Sequence, residues 1–121
     1  MSTRIAFIGG GNMAASLVGG LVAAGTEPSA ITVAEPDGER REQLSRLFKV
    51  ATTQHNADAL AHDVVVLAVK PQLMQQVCTQ LAQVAADSKP LYISIAAGIR
   101  STDIMRWLGG DAAIVRCMPN T

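Results

Sequence analysis

Short runs of β-branched and other apolar residues alternate along this chain with segments in which apolar residues recur every three or four positions. Such runs are typical of strands buried in a parallel sheet, and the recurring pattern is typical of amphipathic helices. The alternation therefore predicts βαβ units and an α/β fold, a doubly wound parallel sheet with helices on both faces. Six strands are expected, at residues 4–8, 31–34, 49–52, 63–69, 91–95 and 113–116.

Four helices are expected between these strands, with one or two further helical turns from His55 to His62. The first runs from about Asn12 to Ala24, the second follows Gly38, the third begins at Pro71, and the fourth is capped by Ser101 or Thr102. Pro71 suits a first helical position, because its fixed φ fits the helix and it has no N–H to leave unpaired. The side chains expected to face inwards are Leu44, Leu47 and Phe48 in the second helix and Leu73, Val77, Leu81 and Val84 in the third.

The composition favours one self-sufficient domain, residues 1–121. Of these 121 residues 49% are hydrophobic, which is enough to build a core without disulfides or a structural metal. The 10 basic and 10 acidic side chains leave no net charge, and no stretch approaches the ~18 apolar residues of a membrane span, so neither nucleic acid nor a membrane is expected as a partner. Cys78 and Cys117 form no C-x-x-C pair. They are expected to be reduced thiols of a cytoplasmic protein, with Cys117 filling buried space.

A glycine-rich turn follows the first strand and opens the first helix. It has the pattern Gly9-x-Gly11-x-x-Ala14, in the context that a dinucleotide-binding fingerprint requires. Gly9 permits a tight turn, Gly11 lacks the Cβ that would collide with a pyrophosphate, and Ala14 lets helix and strand pack closely. The backbone N–H groups of Asn12 and Met13 are expected to face the phosphates. The chain is therefore expected to be an NAD(P)-binding domain of the Rossmann type, with NADP(H) or NAD(H) as cofactor.

Glu35 follows the second strand and lies 21 residues after Ala14. A spacing of about 20 residues is typical of the acid that bonds the adenosine ribose of NAD. Arg40 and Arg41 begin the next helix, however, and could bind the 2′-phosphate of NADP bidentately. A third interpretation is that Glu35 closes a turn and the arginines are a solvated face. The sequence leaves these interpretations open.

Ligands of open α/β sheets bind outside the carboxyl ends of the strands, near the point where the strand order reverses. With the order 3-2-1-4-5-6, that edge also carries Lys70, which is either a catalytic acid or simply a solvated lysine. Backbone at Ala68 and Val69 is expected to lie nearer the ligand. Asn56 either caps a helix or bonds a ribose. His55 and His62 are too far apart on a helix to share a metal ion, so no metal site is expected.

Four segments of the sequence resemble the N-terminal domain of pyrroline-5-carboxylate reductases. They are Phe7–Ala14, Ala68–Gln72, Ile93–Gly98 and Arg116–Thr121, in the order in which that family carries them, and the resemblance covers the whole chain. It implies the last step of proline biosynthesis, in which NAD(P)H reduces 1-pyrroline-5-carboxylate to L-proline. The implied substrate is a small imino acid.

The resemblance also implies roles for individual residues. Asn12 and Met13 would hold the pyrophosphate, Asn56 a ribose, Ala68, Val69, Lys70 and Pro71 the nicotinamide side, and Ala96, Ala97 and Asn120 the edge of the catalytic cleft. No residue of this chain is assigned a catalytic acid or base role. A protonated cyclic imine is already an electrophile, so placing the nicotinamide against it is expected to be the main contribution of the enzyme.

The sequence departs from that family in two ways. Family members usually continue into an all-helical half that dimerises and binds the substrate carboxylate, so this chain is expected to be a fragment that binds cofactor but is inactive alone. The full-length protein is expected to be a homo-oligomer through that half. Glu35 stands where many NADPH-preferring relatives carry a small hydroxyl residue, which leaves the choice between NADH and NADPH open. Two rival hypotheses are a regulatory NAD-sensing module and a reductase related to the β-hydroxyacid dehydrogenases.

Overall fold

A computed structural model of the chain describes residues 3–84 and 89–117. The strands are β1 Ile5–Ile8, β2 Ile31–Ala34, β3 Ala51–Thr53, β4 Val64–Leu67, β5 Leu91–Ser94 and β6 Ala113–Arg116. The helices are α1 Asn12–Ala23, α2 Gly38–Phe48, α3 Pro71–Val84 and α4 Ser101–Trp107, with short 3₁₀ helices at Pro28–Ala30 and Asn56–Ala61. Of the helices in this part of the chain, none is both long and apolar enough to cross a bilayer.

The six strands form one parallel sheet in the order β3-β2-β1-β4-β5-β6, as predicted. The central strand β1 pairs with β2 on one side and β4 on the other, with Phe7 opposite both Val33 and Val66. The chain runs outwards in one direction from β1 to β3 and then in the other from β4 to β6. The strand order therefore reverses between β1 and β4, which opens a crevice at their carboxyl ends.

Successive residues of β1 enter two different cores. Phe7 packs on one face with Ala14 and Val18 of α1 and Leu44 of α2. Ala6 and Ile8 belong to the other core, on which α3 and α4 pack; its buried members include Val65, Leu67, Met74, Cys78, Leu81 and Ile104. Both faces of the sheet are thus covered, which confirms the predicted fold class. Cys78 is a buried free thiol, and burial raises its pKa to about 11.

The inward faces of α2 and α3 differ in part from the prediction. Leu47 is 70% exposed, because Leu44 and Phe48 are stacked one turn apart on the buried stripe and Leu47 falls beside it. Of the four α3 residues expected to face inwards, Leu73 and Val84 are exposed. Val77 and Leu81 are buried as predicted, and Met74 and Cys78 take the other two buried positions. These four residues follow the i, i+3, i+4, i+7 spacing that keeps one helical face together.

Several element ends also differ from the prediction. Lys49 ends α2 in the left-handed region, with φ +62°, so β3 begins only at Ala51. Arg100 precedes the first residue of α4 and no side chain caps that helix, so neither Ser101 nor Thr102 is the cap. Cys117 is exposed and was wrongly expected to be buried.

Candidate functional site

A cavity of about 360 Å³ lies at the carboxyl ends of β1, β2 and β4, where the strand order reverses. Three segments form most of its wall: the turn between β1 and α1, the turn between β2 and α2, and the residues after β4. The lining residues are Gly9, Gly10, Gly11, Ala34, Glu35, Pro36, Asp37, Arg40, Asn56, Ala68, Val69, Lys70, Leu73 and Val77. The cavity is thus at the place where open α/β sheets bind their ligands.

Gly9 is required by the protein's own structure. Its φ is +100°, which side-chain-bearing residues rarely adopt, and a Cβ here would lie 2.7 Å from the carbonyl oxygen of Ala68. Its N–H donates a hydrogen bond of 2.8 Å to the carbonyl oxygen of Ala34. The turn therefore crosses close over the end of β4 and is tied to the end of β2.

Gly10 was not singled out from the sequence, yet it joins two walls of the cavity. A Cβ at this position would lie 2.9 Å from Cδ1 of Leu44 and 3.1 Å from Cγ of Glu35. Its N–H donates a hydrogen bond of 2.8 Å to Oε1 of Glu35. The available signal was the run of three glycines, since the fingerprint alone asks for only two of them at these positions.

Gly11 is different, because none of the residues that the structure describes requires a glycine there. Its backbone is extended, with φ −72° and ψ −170°, and a Cβ would meet only the Nη1 atom of Arg40, at 3.4 Å. Gly11 is the N-cap of α1, and no side chain caps that helix. The first N–H groups of α1 lack intrahelical partners and carry the positive end of the helix dipole. Bare backbone beside an uncapped helix end suits an anion that approaches closely.

Glu35 is half-buried, and its carboxylate is fixed by the backbone. Oε1 accepts from the N–H of Gly10 at 2.8 Å, and Oε2 accepts from the N–H of Asp37 at 2.9 Å. The turn-closing interpretation of Glu35 is therefore realised in the structure. Each carboxylate oxygen can accept a second hydrogen bond, so a contact with a ribose is compatible with this geometry and stays a prediction.

Asn56 lines the cavity and begins the second 3₁₀ helix. The N-cap of that helix is His55, which rules out the capping role considered for Asn56. Thr53 holds the preceding turn, since its hydroxyl accepts from the N–H of His55 at 3.1 Å and donates to Oδ2 of Asp58 at 2.5 Å. The Asn56 amide, which has no hydrogen-bond partner among the described residues, can therefore serve a ligand in the cavity.

The predicted site residues fall into two groups. Gly9, Gly11, Glu35, Asn56, Ala68, Val69 and Lys70 line the cavity together. Asn12, Met13, Ala14, Pro71, Ala96 and Ala97 do not line it. Ala14 is 1% exposed and packs in the core, as its proposed packing role requires, and Ala96 is buried beyond β5, whereas Ala97 is exposed. Asn120 lies outside the described residues.

Neither histidine lines this cavity. His55 is exposed, whereas His62 is buried, with Nε2 3.1 Å from the hydroxyl of Thr32. Burial and the nearby charge of Arg4 lower the pKa of His62. Within residues 3–84 and 89–117, no three side chains of the metal-ligating types His, Cys, Asp and Glu come together.

Comparison with known proteins gives consistent matches. Residues 4–98 match the model of the family described as NADP oxidoreductase, coenzyme F420-dependent. The chain is 50% identical over its full length to a pyrroline-5-carboxylate reductase of Pseudomonas aeruginosa and 45% identical over 98% of its length to one of Vibrio alginolyticus. A solved pyrroline-5-carboxylate reductase of Coxiella burnetii superposes with a TM-score of 0.94 over the whole chain, at 43% identity. The chain spans 45%, 43% and 45% of these three relatives, respectively.

Proposed function

This chain belongs to the family of NADP oxidoreductases described as coenzyme F420-dependent, and from that membership we propose that it is the nucleotide-binding part of a pyrroline-5-carboxylate reductase. The complete enzyme would reduce 1-pyrroline-5-carboxylate to L-proline with NADH or NADPH. The relatives of that name, at 50% and 45% identity, support this activity within the family. These identities favour that activity over the rival roles of a regulatory module or a β-hydroxyacid dehydrogenase-like reductase.

The observation that carries the proposal is the environment of Gly11. The protein's own backbone and packing tolerate a side chain at this position, and yet the position is bare and borders the cavity. A glycine that is not needed by the fold is explained by a ligand that must approach the main chain. The uncapped N-terminus of α1 makes a pyrophosphate the group that fits best.

The remaining lining residues would hold the rest of the cofactor. Glu35 and Asn56 offer a carboxylate and an amide for ribose hydroxyls. Backbone at Ala68 and Val69, followed by Lys70 and Pro71, would border the nicotinamide. By the same proposal Ala96, Ala97 and Asn120 would form the edge of the substrate cleft.

When bound, the dinucleotide supplies the hydride. The residues of this chain would then orient it and exclude water from one side of the cleft. No acid or base of this chain is assigned to the reaction.

The relatives are more than twice as long as this chain, so we assign the rest of the substrate pocket, and assembly into a homo-oligomer, to the part of the enzyme outside it. Both cysteines are free thiols, which supports a reducing, cytoplasmic setting.

Two measurements test this function. Titration of the chain with NADH and NADPH, followed by nicotinamide fluorescence, should show saturable binding in the micromolar-to-millimolar range. The full-length enzyme should oxidise NADH or NADPH when given 1-pyrroline-5-carboxylate, and the chain alone should show little or no turnover. Absence of binding by the chain, or absence of pyrroline-dependent oxidation by the full-length enzyme, would contradict the proposal.

A further inference from the structure

We propose that Arg40, and not its neighbour Arg41, is the side chain of α2 that binds a phosphate group of the dinucleotide. This inference rests on the proposed function and refines it. The two arginines are adjacent and chemically identical, so the sequence does not distinguish them. Their surroundings in the structure do.

The Arg41 side chain is hydrogen-bonded within the protein. Its Nη1 atom donates hydrogen bonds to two backbone carbonyl oxygens, those of Glu35 at 2.7 Å and Pro36 at 2.9 Å. These carbonyls belong to the turn that leads from β2 into α2, and Arg41 does not line the cavity. Its guanidinium therefore holds that turn in place. Turning it towards a ligand would leave both carbonyls without this donor.

Arg40 lies at the cavity and makes no such hydrogen bonds within the described residues. Its Nη1 atom is 3.4 Å from the point that a Cβ of Gly11 would occupy, and the residue lines the cavity wall. Among the described residues it has neither a hydrogen-bond acceptor nor an ion-pair partner. The N–H donors of its guanidinium can therefore bind a ligand in the cavity beside Gly11.

The two carboxylates of the turn before α2 direct their oxygens to backbone N–H groups and not to Arg40. Glu35 directs its two oxygens to the N–H groups of Gly10 and Asp37. Asp37 in turn caps α2, with Oδ1 3.0 Å from the N–H of Glu39. Both carboxylates keep their negative charge, but their hydrogen bonds go to backbone donors and neither forms an ion pair with Arg40 within the described residues.

Two sources of positive potential therefore converge beside Gly11: the uncapped N-terminus of α1 and the guanidinium of Arg40. A planar guanidinium binds phosphate oxygens bidentately, and backbone N–H groups at a helix start bind the same oxygens. The ligand chemistry is thus a phosphate of the dinucleotide. It is either the pyrophosphate that NADH and NADPH share or the 2′-phosphate that NADPH alone carries.

Isothermal titration calorimetry of the variant Arg40→Gln tests this role and shows which of the two phosphates Arg40 binds. The ligands are ADP, adenosine 2′,5′-bisphosphate, NADH and NADPH. Loss of a charge-assisted hydrogen bond should weaken binding by about tenfold or more. A loss confined to NADPH and the bisphosphate identifies the 2′-phosphate, whereas a loss for ADP, NADH and NADPH alike identifies the pyrophosphate. Either pattern supports the proposal.

Arg46→Gln is the matched control. Arg46 lies on the same helix, is exposed, pairs with Glu42 at 2.7 Å and does not line the cavity. The control removes the same charge, and its dissociation constants should stay within about twofold of the wild-type values at moderate salt. Circular dichroism establishes that both variants are folded.

Three outcomes would overturn the assignment of Arg40. Binding of all four ligands by Arg40→Gln with wild-type affinity would leave the proposed function standing and remove this residue from it. An equal loss of affinity in Arg40→Gln and Arg46→Gln would mean that the net charge of the chain, and not a contact made by Arg40, weakens binding. Failure of the wild-type chain to bind any of the ligands would overturn the proposed function together with this inference.

Discussion

Glu35 and Gly10, 25 positions apart in the chain, are joined by a hydrogen bond of 2.8 Å from the Gly10 N–H to Oε1 of the carboxylate. The second carboxylate oxygen accepts from the N–H of Asp37 at 2.9 Å. One side chain thus ties the turn after β1 to the turn after β2. The acid at the proposed ribose position also fixes the shape of the proposed phosphate site.

Replacing Glu35 with serine should shift the preference of the chain towards NADPH. The substitution removes an acceptor for ribose hydroxyls, which should weaken NADH binding by about tenfold, and it removes a negative charge that would repel a 2′-phosphate. Loss of the tie to Gly10 should weaken both cofactors, so the ratio of the two dissociation constants is the informative quantity. Fluorescence titration with each cofactor measures it.

The control for Glu35 is Glu39→Ser, which removes an exposed carboxylate from the first turn of α2 at a residue that does not line the cavity. Its cofactor ratio should match that of the wild-type chain. An unchanged ratio in Glu35→Ser, with both affinities reduced equally, would mean that Glu35 shapes the turn and makes no ribose contact.

Replacing Gly11 with valine should weaken both dinucleotides by about tenfold to a hundredfold, because the side chain fills the space proposed for the pyrophosphate. The free energy of unfolding should change little, since a Cβ there meets only the mobile end of Arg40. Gly20→Val is the control: it adds the same side chain to α1 at a position with nothing within 4 Å. Urea unfolding and cofactor titration of both variants provide the measurements. Retained binding in Gly11→Val would defeat the assignment of this turn to phosphate.

Much of the fold could be predicted from the sequence, because buried parallel strands such as Val64–Leu67 are apolar throughout and the glycine turn has a fixed place between strand and helix. The inward face of α3 was predicted less well. Spacing of four residues selects Leu73 as readily as Met74, and only packing against the sheet decides which is buried. The local pattern therefore predicts that a helix is amphipathic more reliably than it predicts which of its residues face the sheet.

Within the site, the residues of the glycine turn could be predicted, whereas their partners could not. The bond from Gly10 to Glu35 depends on two turns meeting in space. The difference between Arg40 and Arg41 depends on which guanidinium reaches two backbone carbonyls. No sequence pattern distinguishes adjacent arginines, so such contacts are visible only once the fold is built.

Replacing Gly9 with alanine should destabilise the protein by about 2 to 5 kcal/mol, the sum of a strained positive φ and a steric clash. The clash is with the carbonyl oxygen of Ala68, 2.7 Å from the added Cβ. Gly25→Ala separates the two contributions, because Gly25 has a similar φ of +107° and nothing within 4 Å. It should cost only about 1 to 2 kcal/mol. Equal losses in the two variants, measured by urea unfolding, would show that Gly9 is not packed against β4 as described.

His62 gives the protein a pH-dependent stability. The ring is buried, Nε2 lies 3.1 Å from the Thr32 hydroxyl, and Nδ1 finds no hydrogen-bond partner in residues 3–84 and 89–117. Burial, with the neighbouring charge of Arg4, lowers the pKa of His62 below its ordinary value of 6.5. The unfolded chain therefore binds a proton more readily than the folded one.

The free energy of unfolding should accordingly be greatest above about pH 6.5 and should fall as the pH drops from there towards the lowered pKa of folded His62. Below that pKa both states are protonated and the contribution is lost. His62→Gln should flatten this part of the profile, whereas His55→Gln, at an exposed ring, should keep the wild-type slope. Denaturant titrations between pH 5 and 8 measure all three proteins, and the difference between wild type and His62→Gln removes the contribution of the carboxylates. A wild-type slope that persists in His62→Gln would assign the pH dependence to other groups.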